Sequence, residues 1–183
     1  MKALIFNGAP ESGASATSTR ISSYLGNQLS DLNIESEVFN ISESGIPLFD
    51  LSITEVPESV KDMNQVFREA DIHIWLTPLY HGSMTGAMKN CLDWMEYSAK
   101  SLKPYLTGKL IGLVCWADGV QAVQGINAMD AVAKALRAWT SPYNVPIKRS
   151  ELFDDAGNVS SDYQQRFHLL LQILSEGPDR TSN

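Results

Sequence analysis

Apolar residues gather into short unbroken runs that alternate with longer stretches of helical spacing. Ala3-Leu-Ile-Phe6, ended by Asn7-Gly8, is the first run, and a run apolar at every position reads as a strand buried on both faces. Ile21, Leu25, Leu29 and Leu32 then recur at the spacing of an amphipathic helix. Ile34 to Ile41 is a second strand, interrupted by Glu35, Ser36 and Glu37, and a proline-containing loop follows through Pro57. Val60, Met63, Phe67 and Ala70 mark the second helix. Ile72 to Thr77 is strand three, closed by Pro78, and Met88, Cys91, Leu92 and Met95 stripe the helix after it. Leu110 to Trp116 is strand four, followed by a helix striped by Ile126, Met129, Ala133 and Leu136. Val145-Pro-Ile147 is a short fifth strand, and Tyr163, Phe167, Leu170, Leu171 and Leu174 stripe the last helix.

Strict β/α alternation predicts an α/β fold of three layers, a five-stranded parallel sheet with helices on both faces. Strands one, three and four are the most apolar and belong in the centre. Strand two carries charges and strand five contains Pro146, which suits an edge. Edges at two and five predict the order 2-1-3-4-5; the order 3-2-1-4-5-6 would bury strand two and expose strand three. One domain over residues 1–175 is expected, with 176–183 a polar tail that frays.

The predicted order locates a binding site before any motif is considered. Ligands bind beyond the carboxyl ends of the strands, where the chain reverses direction across the sheet. Here that point lies between strands one and three, so the loops are 8–18 and 78–86, with 117–121 beside them.

Composition narrows the ligand. The chain of 183 residues has 14 Lys and Arg against 21 Asp and Glu, a net charge of -7. That balance argues against nucleic acid and anionic membranes as partners. It leaves room for a phosphate held by backbone N–H groups. Two cysteines are too few for a disulfide framework or an iron–sulfur cluster, and three histidines with two cysteines form no metal-ligand spacing. No run is long enough to cross a membrane, and the opening apolar run is too short for a signal peptide, so a reduced, cytoplasmic setting is expected.

The loop after strand one, Gly8-Ala-Pro-Glu-Ser-Gly-Ala-Ser-Ala-Thr-Ser-Thr19, is rich in glycine and hydroxyls and leads into a helix N-terminus. That combination suits a phosphate, although it also suits a flexible loop with a helix cap. Gly8-x4-Gly13-Ala14-Ser15 has P-loop spacing but lacks the lysine that charges the β and γ phosphates, which argues against an NTPase. Pro10 stands where a dinucleotide fingerprint needs its second glycine. Arg20 lies inside the helix and is expected to point to solvent. The loop after strand three offers flat side chains at Tyr80 and His81, close backbone approach at Gly82, and Ser83 or Thr85 as a helix cap. His73 and His168 read as structural residues.

Pro78-Leu-Tyr-His-Gly-Ser83, followed by Gly86-Ala-Met-Lys-Asn-Cys-Leu-Asp-Trp94, resembles the P-x-Y-H/N-G-S-x-x-G-x-L-K-N-x-L-D-W signature of NADPH-dependent FMN reductases. These are flavodoxin-like proteins that include chromate, quinone and azo-dye reductases. The resemblance implies an FMN phosphate on Ser12, Ser15, Ser18 and Thr19. It implies a flavin ring against the backbone of Pro78, Leu79, Tyr80, His81 and Gly82, flanked on the other side by Ala117, Asp118 and Gly119. It implies NADPH or NADH as electron donor, a small-molecule acceptor such as a quinone or free flavin, a ping-pong cycle, and a homodimer or homotetramer. The cofactor carries the redox chemistry, so no catalytic side chain is named and no metal is expected.

Three departures from the family pattern bear on the donor. Glu11 stands where the family commonly has an arginine, Asp118 enters a loop that is commonly Gly-Gly-rich, and Leu79 replaces a common glutamate. Two added carboxylates leave NADPH against NADH open. An electron carrier that binds FMN without oxidising NAD(P)H is the alternative, since an acidic surface suits a basic redox partner. A non-enzymatic protein on the same fold is a third reading. Trp94, Tyr97 and Trp116 fit either a subunit interface or the core.

Overall fold

Alternate residues of each central strand supply the two cores of the molecule. The structure is a computed structural model and describes residues 1–177; of the expected tail, residues 178–183 lie outside the described residues. In β1 (Lys2–Asn7), Ala3 and Ile5 face one apolar layer while Leu4 and Phe6 face the other. The first layer holds α1 (Thr17–Asp31) and α5 (Ser161–Glu176). The second holds α2 (Glu58–Glu69), α3 (Gly86–Asp93) and α4 (Ala122–Ala135). Every residue of β3 (Ile72–Pro78) is buried, and so are all but the last of β4 (Leu110–Ala117). The charged β2 (Glu35–Asn40) is half exposed at an edge, as its sequence requires.

Among the described residues the strands of the sheet pair in parallel, in the order β2-β1-β3-β4-β5. One feature differs from the five-stranded expectation. The last edge consists of two short strands, β5 (Trp139–Thr140) and β6 (Val145–Lys148), both paired to β4. β5 pairs with Leu110 and Ile111, and β6 resumes at Val114, so the edge runs more residues than β4 over the same span and loops out between. The ladder remains satisfied across the break, because Asn144 Oδ1 accepts the Leu113 N–H at 2.8 Å. A side-chain amide thus replaces the missing backbone acceptor.

Asn90 and Trp94 pin the long loop that precedes α2. Asn90 accepts from Phe49 N and donates to the Pro47 carbonyl, each at 2.8 Å, and Trp94 Nε1 donates to the same carbonyl at 2.8 Å. Trp94 and Trp116 are therefore core residues, and of the three aromatics left open by sequence only Tyr97 is exposed. His168 faces solvent on α5, which corrects its structural reading, whereas His73 is fully buried. Arg20 also departs from expectation: its guanidinium lies 3.3 Å over the Phe153 ring and donates to the Gly157 carbonyl.

His73 sits edge-on to Phe67, and burial pushes its imidazole down to about 3, an effect the Phe67 backbone offsets only in part. The native state therefore binds a proton less readily than the unfolded chain, whose histidine titrates near 6.5. The stability His73 contributes is complete above that value and is lost as pH falls toward about 3. Urea unfolding is expected to lose up to about 2 kcal/mol between about pH 6.5 and about pH 5 from this residue. His73→Leu should flatten that part of the profile, and an unchanged slope in the variant would refute the assignment.

Candidate active site

The carboxyl ends of β1, β3 and β4 release three loops at one pole of the sheet, and hydrogen bonds tie these loops to each other. Gly8 N donates to the Leu76 carbonyl at 2.8 Å, and the Thr85 hydroxyl donates to the Gly8 carbonyl at 2.6 Å. The same hydroxyl accepts Met88 N at 3.0 Å, so Thr85 is the N-cap of α3 and the link between the first and second loops. Gly8 must be glycine for this approach: a Cβ there would lie 2.6 Å from Met88 Sδ. Leu79 N donates to the Trp116 carbonyl at 2.8 Å, which joins the second loop to the third.

Tyr80-His81-Gly82-Ser83 is a tight two-residue turn, with Tyr80 N to Ser83 O at 3.0 Å and the reverse bond at 3.1 Å. His81 and Gly82 both have positive φ, 49° and 82°, the requirement of a type I′ turn. The turn exposes Tyr80, His81 and Gly82 at the rim. No side chain caps the amino end of α1. Its first N–H groups are thus available to a ligand, and the helix dipole favours an anion there.

Two clefts flank Glu11. One, of about 330 Å³, is lined by Ser12, Gly13 and Thr19 together with Asn7, Asn40, Ser42 and Glu43. The other lies between the second and third loops and is lined by Pro78, Leu79, Tyr80, Ala117 and Asp118, with Trp116 and Arg149. Of the sequence-predicted residues, Ser12, Thr19, Pro78, Leu79, Tyr80, Ala117 and Asp118 therefore meet around Glu11. Ser15 is exposed on the first loop and lines neither cleft. Ser18 is fully buried on the core face of α1, its hydroxyl without a hydrogen-bond partner, so its offering to a ligand at the helix end is its backbone N–H. His81 and Gly82 sit at the tip of the rim turn, and Gly119 lines the far side of its loop.

Asn7, Asn40 and Arg149 were not singled out by sequence. Asn7 and Asn40 end paired strands in register, and Asn7 Nδ2 donates to Asn40 Oδ1 at 3.0 Å while Asn7 Oδ1 accepts Ala9 N at 3.1 Å. An asparagine closing each of two adjacent strands was the available signal. A larger cleft of about 730 Å³ lies at the opposite pole, around Arg137 and Trp139. It includes none of the three strand-end loops, so the rule for open α/β sheets favours the pole around Glu11. Burial pushes the Cys91 and Cys115 thiols up to about 12, which removes both as nucleophiles.

The family model described as NADPH-dependent FMN reductase matches residues 1–151. The chain is similar to an FMN-dependent NADPH-azoreductase of Staphylococcus aureus, 26% identical over 185 aligned positions that cover 96% of this chain and 94% of the relative. Among solved structures it is similar to a flavoenzyme NAD(P)H:(acceptor) oxidoreductase of Paracoccus denitrificans, with TM-score 0.74, 15% identity and 95% of each chain covered. It is also similar to oxidised flavodoxin 1 of Bacillus cereus, with TM-score 0.64, 12% identity, and 97% and 99% covered. These structural likenesses establish the flavodoxin-like fold.

Thr85→Ala removes the α3 cap and leaves the buried Gly8 carbonyl unpaired. It is expected to cost about 2–3 kcal/mol in urea unfolding, whereas Thr85→Ser should retain most of the parent stability. Equal losses in both variants would show that the methyl group, rather than the hydroxyl link, matters.

Proposed function

The chain belongs to the NADPH-dependent FMN reductase family, and from that premise we propose that it binds FMN and passes hydride from NADPH or NADH to a quinone, free flavin or similar small acceptor. Donor and acceptor take the same cleft in turn, a ping-pong cycle. The observation that carries this reading is the uncapped amino end of α1 facing a cleft at the β1–β3 switch point.

The residues present fit FMN. The phosphate is assigned to the free N–H groups of the first turn of α1 and to the hydroxyls of Ser12 and Thr19; neither the Ser15 nor the Ser18 hydroxyl lines that cleft. The cleft there holds two carboxylates, Glu11 and Glu43, and no lysine or arginine, so backbone dipoles rather than cations must favour the anion. The backbone of Pro78 to Gly82 is assigned to one side of the ring and Ala117 to Gly119 to the other. The flavin, when bound, supplies the hydride and electron chemistry. Loops 78–82 and 117–119 would orient it and shield it from water, and backbone N–H groups facing it would favour the atoms that gain charge. No side chain need act as acid or base.

Tyr80 is exposed at the cleft mouth, 48%, and Val120 and Val123 are exposed on the far side of the third loop and at the start of α4, 84% and 48%. This supports a homodimer or homotetramer in which a second copy covers that mouth. The reduced, buried state of both cysteines suits a cytoplasmic setting.

Purified protein is expected to be yellow, to release FMN on denaturation, and to oxidise NADPH or NADH with a quinone. Colourless protein that cannot be reconstituted with FMN would sink the reading. Bound FMN that neither nicotinamide reduces, in the absence of any partner protein, would favour the electron carrier instead.

A further inference from the structure

The parallel register of β4 and β6 pairs Ala117 with Lys148, so the residues that follow, Asp118 and Arg149, emerge side by side at the mouth of the cleft. Arg149 Nε donates to Asp118 Oδ1 at 2.7 Å. Both side chains are exposed, 56% and 81%, and an ion pair in that position contributes little to stability. Its consequence is orientation: one contact holds the guanidinium at the rim, while its two Nη groups make no ion pair or hydrogen bond among the described residues. Arg149 is also the one lysine or arginine among the residues lining the two clefts that flank Glu11. Lys148 beside it is engaged by Glu151 and lines the cleft on the other side of the third loop.

The mouth therefore carries Glu11 and Asp118, which repel anions, and a single planar cation with free donors. A guanidinium presents paired N–H groups that match an oxyanion in a way no point charge does. Resting on the reductase reading above, we propose that Arg149 is a specificity-determining residue: it grips an oxyanion carried by an incoming substrate, and Asp118 is its positioning residue and its competitor. The oxyanion is a phosphate of the nicotinamide dinucleotide or a sulfonate on an aromatic acceptor. The two sources share this chemistry and are separated by the test.

The test is direct binding to FMN-reconstituted holoprotein, followed by titration calorimetry and by perturbation of the flavin spectrum. The probes are NADP+, naphthalene-2-sulfonate and the neutral quinone menadione. Arg149→Ala should weaken one or both oxyanion probes about tenfold, well beyond any change for menadione, and flatten the salt dependence of that binding. Arg149→Lys keeps the charge without the fork and should fall between. Asp118→Asn should tighten the affected probe several-fold. Loss confined to NADP+ assigns the donor phosphate, and loss confined to the sulfonate assigns the acceptor. If neither oxyanion loses more than menadione, the proposal is wrong while the reductase reading stands. If no holoprotein forms, both fall together.

Discussion

The hydrogen bond from the Thr85 hydroxyl to the Gly8 carbonyl sets the geometry of the whole pole. It is buried, so neither partner has water as an alternative, and breaking it leaves a carbonyl unpaired. It forms only because residue 8 lacks a side chain, which lets the first loop lie directly on Met88 of α3. The hydroxyl is used twice, as donor across the loops and as acceptor for the cap of α3. Strand end, loop and helix start are thereby one unit. The first loop is then carried to its place beside the second, and the uncapped end of α1 faces the same opening. A slip at this joint would separate the two loops that a ligand at the switch point must touch together.

Charge is organised around that joint in an unusual way for a phosphate-binding reading. A net charge of -7 and carboxylates at the cleft itself make long-range attraction of an anion weak. Short-range terms must dominate: oriented N–H groups at a helix end and hydroxyls act within hydrogen-bond distance, where fixed dipoles outweigh screened charges farther off. The one cation is placed outside this inner zone, at the rim, and is already held by a carboxylate. Inner binding and outer selection are consequently assigned to different chemistries.

The central strands were legible because burial on both faces leaves an apolar run, unbroken in 3–6 and 110–116 and interrupted only by His73 in 72–76, and because Pro146 and the charges of 35–37 mark edges. The split of the last edge was not legible. Two residues, Trp139 and Thr140, carry no periodicity, and the Asn144 amide that bridges the gap is recognisable only once β4 is opposite it. The rim turn illustrates the same limit: Gly82 announces a turn, but that His81 also adopts positive φ follows from the paired bonds of Tyr80 and Ser83. Ser18 shows how a hydroxyl in a suitable stretch can turn inward, since helical phase, not composition, decides which of Thr17, Ser18 and Thr19 meets the core. Arg149 was invisible because its neighbour Asp118 is 31 positions away and only strand register joins them.

These limits follow one division within the site. Its floor is made of strand ends and backbone groups whose partners are fixed by the sheet, and the demands on sequence there are few: Gly8, Thr85 and the N–H groups of a helix end. Its rim is made of exposed side chains, Glu11, Tyr80, Asp118 and Arg149, which the fold positions without depending on them. The chain is 26% identical to a relative across nearly its whole length, and a rim on which the fold does not depend can change without loss of the floor. On the proposed reading, rim substitutions would act on which molecules approach the flavin, and floor substitutions on whether the site forms at all. The short-range inner chemistry proposed for the phosphate would tolerate the acidic surface and so leave the rim charges to select substrates.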